Sequence, residues 1–444
     1  MNIIQEFDTI AAIATPIGTG GVGVIRISGD KSFEIAGKIF KGKKLESGKI
    51  SHGWIQDNGT KIDEVIVLAF KNPNSYTGED VVEIQCHGGI NVVRNILDLV
   101  LKNGARTAER GEFTKRAFLN KKLDLSQAEA VADLIHAKTQ NFAIQSAKNL
   151  SGVLAEKINE IKGGIFNVLS KIVAGIDFPD DVKEPEYDYL IEEFENALKE
   201  IDRILACAKS SDIMRQGVKV AIVGKPNAGK SSLFNKLLNT ERAIVTDIAG
   251  TTRDVLKETL DMDVAVTLID TAGIRDTDEV GKVEEIGIEF SKQSADEADL
   301  ILFLYNAQTG MDEQDKNIFD LIKDKTYLKI ANKCDLTKNR SDDAIYISAL
   351  TGEGLDELRN QIKNIVCNFS LEDTEFITNK RQQDCLLKCR ESLIQALEAA
   401  KANELQDLIS IDVKSALLYL DEITGEVITD DILNNIFDHF CIGK

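Results

Sequence analysis

Five short and almost entirely apolar runs lie between residues 218 and 348, with longer and more polar stretches between them. The runs are VKVAIVG, VAVTLID, LILFLY, YLKIAN and AIYIS. Strands that are buried on both faces of a parallel sheet have this pattern, and helices usually connect them. The pattern therefore predicts an α/β domain over residues 216–367.

The first 120 residues instead alternate short β-type runs with Gly-rich turns. The segment TIAAIATPIGTGGVGVIRISGD predicts a strand, a turn and a second strand, and EVIVLAF and VVEIQCHGG predict two more. The segment NVVRNILDLVLKNG has helical spacing and ends at a glycine. Residues 1–120 are therefore expected to form a small α+β domain.

Long amphipathic runs fill residues 121–215 and 368–444. The first of them begins at LDLSQAEAVADLI, where Ser126 and Glu129 match a capping box. It is interrupted at GIDFPDDVKEPEYDY, whose two prolines and acidic cluster predict a loop. We expect the two segments to pack together as one discontinuous all-α domain. The α/β domain would be inserted into it, giving a multidomain α+β and α/β protein.

The composition narrows the classes of function. The chain has 444 residues, enough for about three domains of ordinary size, and a formal net charge of −20. That charge argues against a general, charge-driven coating of nucleic acid. A structured RNA could still meet a local basic patch, and residues 102–122 hold seven Lys or Arg against two Glu. A solvated helix face is the alternative interpretation of this patch.

The sequence also suggests where the protein works. No apolar run approaches the roughly 20 residues that span a bilayer, and the first residues lack the pattern of a secretory signal. The seven cysteines form no CxxC pair. A reduced, cytoplasmic setting is therefore expected.

A phosphate-binding motif follows the first apolar run of the α/β domain. GKPNAGKS, residues 224–231, fits GxxxxGK[ST] and stands between a predicted strand and the predicted helix KSSLFNKLL. Backbone N–H groups of such a turn favour anionic phosphates. Lys230 would reach the β- and γ-phosphate oxygens, and the Ser231 hydroxyl would ligate Mg²⁺.

Three further motifs follow in the order found in GTPases. Asp270-Thr271-Ala272-Gly273 ends the run VAVTLID, where the aspartate can hold Mg²⁺ through water. Asn332-Lys333-Cys334-Asp335 resembles the guanine-specificity motif, since a carboxylate at Asp335 can accept both N1–H and the 2-amino group of guanine. Ser348-Ala349-Leu350 resembles the last guanine loop. The four motifs together predict a GTP-binding and GTP-hydrolysing protein.

The catalytic apparatus must differ from that of Ras-like proteins, which orient water with a Gln directly after the DxxG motif. That position is Ile274, which cannot bond water. Asn227 offers a side-chain carbonyl, and TDIAGTTRD, residues 246–254, could wrap further carbonyls over the same place. A bound K⁺ would there supply positive charge to the transition state. The alternative is that Asn227 only forms the turn.

With these motifs in place, the whole chain resembles the MnmE (TrmE) family of bacterial tRNA-modification GTPases. The resemblance includes ATPIGTGGVGVIRISG, GEFTKRAFLNKKLDLSQAEAVADLI, GKPNAGKSSLFN, VTDIAGTTRD, DTAGIR and the final CIGK. It implies a homodimer joined through N-terminal domains that bind a tetrahydrofolate derivative, in the 5-formyl or methylene form. It also implies a heterotetrameric complex with an FAD-dependent partner, MnmG, which alone carries FAD. Together they would build a (carboxymethyl)aminomethyl group on the wobble uridine of certain tRNAs.

The resemblance also carries roles onto particular residues. Arg26, Glu83, Lys122 and Lys444 match the folate contacts. The K⁺ ligands correspond to Asn227, Thr246, Ile248 and Thr251, and the Mg²⁺ ligands to Ser231 and Thr252. Residues expected to act in catalysis or activation are Glu284, which would orient the attacking water, Arg253, Asp254, Arg275 and Cys441. For Cys441 the alternative is a buried structural thiol.

The expected nucleotide and cation contacts are Asn227, Ala228, Gly229, Lys230, Ser231, Ser232, Thr246, Asp247, Ile248, Ala249, Gly250, Thr251, Thr252, Asp270, Thr271, Ala272, Gly273, Asn332, Lys333, Asp335, Ser348, Ala349 and Leu350.

Two other functions fit part of this pattern. A ribosome-assembly GTPase would share the nucleotide motifs and act as a binding switch, but would normally carry an RNA-binding module such as KH. A scaffold whose nucleotide domain only senses GTP would not need hydrolytic residues. The resemblance implies that two nucleotide domains meet when GTP binds and separate when GTP is hydrolysed. The helical domain would carry this motion to the folate and tRNA site.

Overall fold

The computed structural model describes residues 8–240, 243–244, 257–262, 265–270, 298–337, 340, 343–368 and 378–444. The chain divides into two compact units. The first comprises residues 1–132, 149–197 and 388–444, and the second comprises residues 133–148 and 198–387. The boundaries of the four segments expected from the sequence stay predictions.

The first unit contains a mainly antiparallel sheet of seven strands in the order β3-β4-β5-β6-β2-β1-β7. The strands are β1 (Ile10–Ile13), β2 (Gly20–Ser28), β3 (Phe40–Gly42), β4 (Ile50–Asp57), β5 (Thr60–Phe70), β6 (Val81–Gly88) and β7 (Arg106–Thr107). Helices α1 (Ser32–Ile39) and α2 (Ile90–Lys102) share a core with its buried side chains, including Ile25, Ile27 and Ile84. Since strand side chains alternate, Arg26 and Glu83 point to the opposite face.

Six helices follow along the chain. They are α3 (Glu112–Leu119), α4 (Leu125–His136), α5 (Gln140–Leu150), α6 (Val153–Asp177), α7 (Tyr187–Ala206) and α8 (Ala208–Gln216). The long helix α6 packs against α13, defined below, and the Lys162 ammonium contacts Asp421 at 2.5 Å and Glu426 at 2.7 Å. The two distant helical segments therefore meet within the first unit, as their amphipathic patterns suggested.

The predicted capping box at the start of α4 is wrong in its residues. Asp124, directly before the helix, accepts the Gln127 N–H at 3.0 Å, and Gln127 Oε1 accepts the Asp124 N–H at 2.9 Å. Ser126 instead donates to Asp124 at 2.6 Å. Aspartate and glutamine complete the reciprocal pattern two positions earlier than serine and glutamate would, because Asp124 is the residue that precedes the first helical turn.

The second unit is built on a seven-stranded sheet in the order β14-β13-β12-β8-β11-β10-β9. Its strands are β8 (Val218–Val223), β9 (Ala243–Ile244), β10 (Lys257–Asp261), β11 (Ala265–Asp270), β12 (Leu300–Asn306), β13 (Tyr327–Asn332) and β14 (Ile345–Ile347). Strands β11, β8, β12, β13 and β14 are parallel, and β10 is antiparallel to both of its neighbours. All five predicted strands are present, and the predicted combination of α+β and α/β architecture is confirmed.

Helices cover both faces of this sheet. They are α9 (Lys230–Thr240), α10 (Glu313–Ile322) and α11 (Leu355–Asn368). Three further helices follow in the sequence and are not part of this cover: α12 (Lys380–Lys401), α13 (Gln406–Thr424) and α14 (Asp430–Phe437). Alternate residues of β8 belong to different cores, with Ile222 in the core beneath α9 and α11, and Val223 in the core beneath α10. In the described part of the chain, no helix is long and apolar enough to cross a membrane.

Candidate functional site

The phosphate-binding motif forms a tight turn at the carboxyl end of β8. The chain passes on one side of β8 to β11 and on the other to β12, so the turn lies at the topological switch point where α/β sheets bind ligands. Asn227 and Gly229 have left-handed backbones, with φ of 64° and 98°. A Cβ on Gly229 would overlap the Asn332 amide, and a Cβ on Gly224 would overlap the Leu304 carbonyl. Only glycine fits these two positions.

Lys230 lies folded against its own loop. Its Nζ donates to the Gly224 carbonyl at 2.8 Å and to the Lys225 carbonyl at 3.0 Å. Ser231 and Ser232 follow in the first turn of α9, and both are exposed. A cation and two hydroxyls thus stand together at a helix N-terminus, which is the donor set that a nucleotide phosphate with Mg²⁺ requires.

One asparagine connects the phosphate loop with both guanine loops. The buried Asn332 side chain donates to the Ala228 carbonyl at 2.8 Å. Its oxygen accepts the N–H groups of Lys333 at 2.8 Å and Ala349 at 3.0 Å. The Lys333 ammonium donates to the Asn227 carbonyl at 3.0 Å. The predicted residues of three separate motifs are therefore brought together by direct hydrogen bonds.

The base-reading groups are presented at the surface beside this asparagine. Asp335 lies in a short 3-10 helix, Cys334–Leu336, and is exposed, whereas Ser348 is buried. Ser348 is fixed by a bond from its N–H to the Glu353 carbonyl at 2.9 Å, and it accepts the Gly352 N–H at 2.8 Å. The carboxylate that would bind guanine is accessible, and the loop that would meet the base is held in place.

Many predicted residues of this site lie outside the described part of the chain. Asp270 ends β11, opposite Ile222 of β8, but its side chain is not described. The others are Thr246, Asp247, Ile248, Ala249, Gly250, Thr251, Thr252, Arg253, Asp254, Thr271, Ala272, Gly273, Arg275 and Glu284, together with Ile274. Their roles stay predictions, as does the role of Leu350, which is 83% exposed.

A second cluster of predicted residues forms on the outer face of the N-terminal sheet. Arg26 and Glu83 are directly opposite each other on β2 and β6, and Arg26 Nε donates to Glu83 Oε1 at 2.8 Å. The Arg26 guanidinium also lies over the rings of Tyr76, at 5.1 Å, and Phe113, at 5.6 Å. Sequence reasoning missed both rings, which give this arginine a cation–π floor.

The end of the chain docks onto this cluster. The Gly443 carbonyl accepts a bond from Arg26 at 3.4 Å, and the backbone carbonyl of Cys441 accepts the Gly111 N–H at 3.4 Å. Burial, together with the neighbouring Arg26, lowers the pKa of Lys444, while Glu83 and Cys441 oppose this shift. Arg26, Glu83 and Lys444 therefore share one electrostatic site, and Cys441 is exposed beside it.

Lys122 lies at the margin of this site. Its ammonium donates to the Pro73 carbonyl at 3.1 Å, in the loop that also carries Tyr76, and it is exposed. No described bond joins Lys122 to Arg26, Glu83 or Lys444. A cavity of about 270 Å³ lies further along β2, lined mainly by the Gly-rich segment 15–23 and by Ile90 and Val93 of α2.

The basic stretch 102–122 is not one solvated face. Arg116 is 1% exposed and bonds Glu79 and Glu112, and Arg106 also bonds Glu112 at 2.6 Å. Burial raises the pKa of Glu112, but the bonds from Arg106, the Glu109 N–H and Arg116 outweigh this and lower it to about 2. Part of the stretch is therefore an internal ion-pair network behind Phe113, which reduces the patch left for RNA.

Comparisons with known proteins agree along the whole chain. A family model described as the MnmE helical domain matches residues 125–441, and one described as the GTP-binding protein TrmE N-terminus matches residues 9–122. The tRNA modification GTPase MnmE of Thermoanaerobacter pseudethanolicus is 46% identical over 460 residues, covering 99% of this chain and 100% of the relative. That of Caldicellulosiruptor saccharolyticus is 45% identical over 459 residues, with the same coverage.

One solved structure is similar to part of the chain. A crystal structure of an Era variant from Aquifex aeolicus, bound to GDP and aluminium fluoride, is 30% identical. It covers 40% of this chain and 67% of that chain, with a TM-score of 0.28. A score this low supports no inference about fold or function, so the full-length relatives and the family models carry the assignment.

Proposed function

This chain belongs to the MnmE (TrmE) family of tRNA-modification GTPases, and on that basis we propose how its two sites divide the work. The nucleotide site of the second unit hydrolyses GTP with Mg²⁺ and K⁺. The Arg26 site of the first unit binds a tetrahydrofolate derivative as the one-carbon donor. With an FAD-dependent MnmG-type partner, the cytoplasmic homodimer forms a (carboxymethyl)aminomethyl group on the wobble uridine of certain tRNAs.

The convergence of Arg26, Glu83 and Lys444 is the observation that supports folate chemistry. Two cations and one anion, drawn from strands β2 and β6 and from the end of the chain, meet at a partly buried site. Pterin carries a guanidine-like donor edge that suits the Glu83 carboxylate, and the glutamate tail of folate suits arginine or lysine. The ring floor of Tyr76 and Phe113 keeps the Arg26 guanidinium in place.

The experiment that tests this function is nucleoside analysis of tRNA treated with the purified protein. The reaction contains the MnmG-type partner with FAD, GTP, Mg²⁺, K⁺, a methylene-level reduced folate as the carbon donor, and glycine, which supplies the amine nitrogen and the carboxymethyl group. We expect the modified wobble uridine to form, and to disappear when GTP or the folate is left out. Formation of the full modification without any folate would contradict the proposed donor, and no modification in the complete reaction would contradict the function.

Potassium is proposed to act beside Asn227. The left-handed backbone of this residue exposes its side chain, while its own carbonyl is held by Lys333. An amide oxygen in this place can ligate a monovalent cation that supplies charge to the transition state. The Asn227 side chain forms no bond to other described residues that would prevent this.

We therefore expect GTP hydrolysis to be at least about tenfold faster in K⁺ than in Na⁺, and Asn227→Gly to remove this difference. Glycine adopts the same positive φ, so the loop shape is kept and only the ligand is lost. Asn227→Asp, which keeps an oxygen, is the matched control and should retain K⁺ stimulation. Steady-state phosphate release in the two salts measures this. Equal rates in K⁺ and Na⁺ for the unaltered protein would contradict the potassium site.

A further inference from the structure

The phosphate loop is attached to a second helix through a residue that the nucleotide motif leaves unspecified. Lys225, the second residue of GKPNAGKS, extends its ammonium to Asp312 and to Asp315 Oδ2, the latter at 2.9 Å. Both aspartates belong to the start of α10, which follows β12 in the same unit. This clamp joins residues 87 positions apart in the chain.

The helix end that receives Lys225 is itself rigidly built. Asp312 is the N-cap of α10, and its carboxylate accepts the Asp315 N–H at 3.0 Å. The Asp315 carboxylate in turn accepts the Asp312 N–H at 3.3 Å. Helix α10 packs through Ile318, Phe319 and Ile322 against the sheet core. The clamp therefore ends on a fixed support, and not on a loop that could move with it.

The Lys225 ammonium is a counter-charge for both aspartates of the clamp. The Asp315 side chain is fully buried, and burial raises its pKa. Lys225 is the main cause that lowers the pKa of Asp312 to about 2, and the two acids together raise the pKa of Lys225. Removing the ammonium would leave a buried carboxylate without its counter-charge, which is costly.

The clamp also supports Lys230, the lysine expected to contact phosphate. The Lys225 carbonyl accepts the Lys230 ammonium at 3.0 Å, so displacement of Lys225 moves a group on which Lys230 rests. The second half of the loop is held separately, through the Asn227 and Ala228 carbonyls, by the NKxD residues Lys333 and Asn332. Lys225 supplies the corresponding anchor for the first half.

We propose that Lys225 is a positioning residue that holds the phosphate loop in its binding shape through Asp312 and Asp315, and so sets how long guanine nucleotide stays bound. Backbone N–H groups bind phosphate well only when the loop is already in the right geometry. The proposal requires the nucleotide site alone and is independent of the folate and potassium sites.

The test measures dissociation of a fluorescent GDP, the N-methylanthraniloyl derivative, from the full chain and its variants. Lys225→Met should speed dissociation about tenfold, equivalent to about 1.4 kcal/mol. Lys225→Arg should stay within about twofold of the unaltered rate because it keeps the charge. Asp312→Asn, which keeps an N-cap oxygen but removes the charge, should give an intermediate rate. The matched control is Lys323→Met, since Lys323 pairs with Asp320 on the exposed end of the same helix.

The steady-state parameters separate positioning from chemistry. For Lys225→Met we expect KM for GTP to rise while kcat stays within about twofold, because no group that contacts the γ-phosphate is removed and the bound triphosphate draws Lys230 back into place. All rates are measured below the unfolding midpoint of each variant. If Lys225→Met lowers the melting temperature but leaves GDP dissociation within twofold, the clamp is only structural. Equal acceleration by Lys225→Arg and Lys225→Met would also overturn the proposal.

Discussion

Replacing Asp335 by Asn is expected to lower the affinity for GTP by roughly 10⁴-fold and to create affinity for xanthosine triphosphate. Guanine offers two adjacent donors, N1–H and the 2-amino group, and only a carboxylate accepts both. Xanthine has a carbonyl in place of the 2-amino group. The Asn amide can donate to that carbonyl and still accept from N1–H, so the preference reverses.

The surroundings of Asp335 allow this substitution without disturbing the rest of the nucleotide site. Asp335 is exposed, while Asn332, which joins the phosphate loop to both guanine loops, is buried and untouched. Asp356→Asn is a suitable control because Asp356 is an exposed acid of α11 that bonds only Arg359 among its described contacts. Equilibrium titration with both nucleotides measures the effect. An affinity for GTP within tenfold of the unaltered protein would contradict the assignment of Asp335 to base recognition.

The elements that the sequence predicted well are those with a continuous apolar signal. Each of the five parallel strands is mostly apolar, with only isolated polar residues such as Lys219 in β8 and Lys329 in β13, so the apolar run is visible in the sequence. Strand β4, with the sequence ISHGWIQD, and β10, with the sequence KETLD, each keep a polar face or edge and were not predicted. The register of β2 with β6 was equally hidden, although it is what places Arg26 against Glu83.

Local patterns also fail where two residues compete for one role. At the start of α4, the Ser126 and Glu129 spacing fits a capping box, but Asp124 is the residue that precedes the helix and takes the cap. The clamp from Lys225 to Asp312 gave no signal at all, since the motif allows any residue there. Long-range partners depend on the three-dimensional course of the chain, which motif spacing does not encode.

We expect Glu83 to be a sensitive position of the Arg26 site. Its carboxylate pairs with Arg26 at 2.8 Å, and it opposes the shift that lowers the pKa of Lys444. Glu83→Gln keeps the shape but removes the charge. Two cations would then share the site without a counter-charge, the pKa of Lys444 would fall further, and the pterin donors would lose their carboxylate partner.

We expect Glu83→Gln to weaken binding of 5-formyltetrahydrofolate by about 10³-fold, since loss of one partner from a partly buried, charged hydrogen-bonded pair costs several kcal/mol. Wobble-uridine modification should be lost, while GTP hydrolysis by the protein alone stays within about twofold. Titration calorimetry measures the first effect.

Glu64→Gln, on the neighbouring strand β5 and exposed beside His52, is the matched control. The single tryptophan, Trp54, lies in β4 of the same sheet, and its fluorescence reports whether the variant is folded. A folded Glu83→Gln protein that binds the folate within threefold of the unaltered affinity would place the one-carbon donor elsewhere. The convergence of Arg26 and Lys444 would then be a structural contact that anchors the end of the chain.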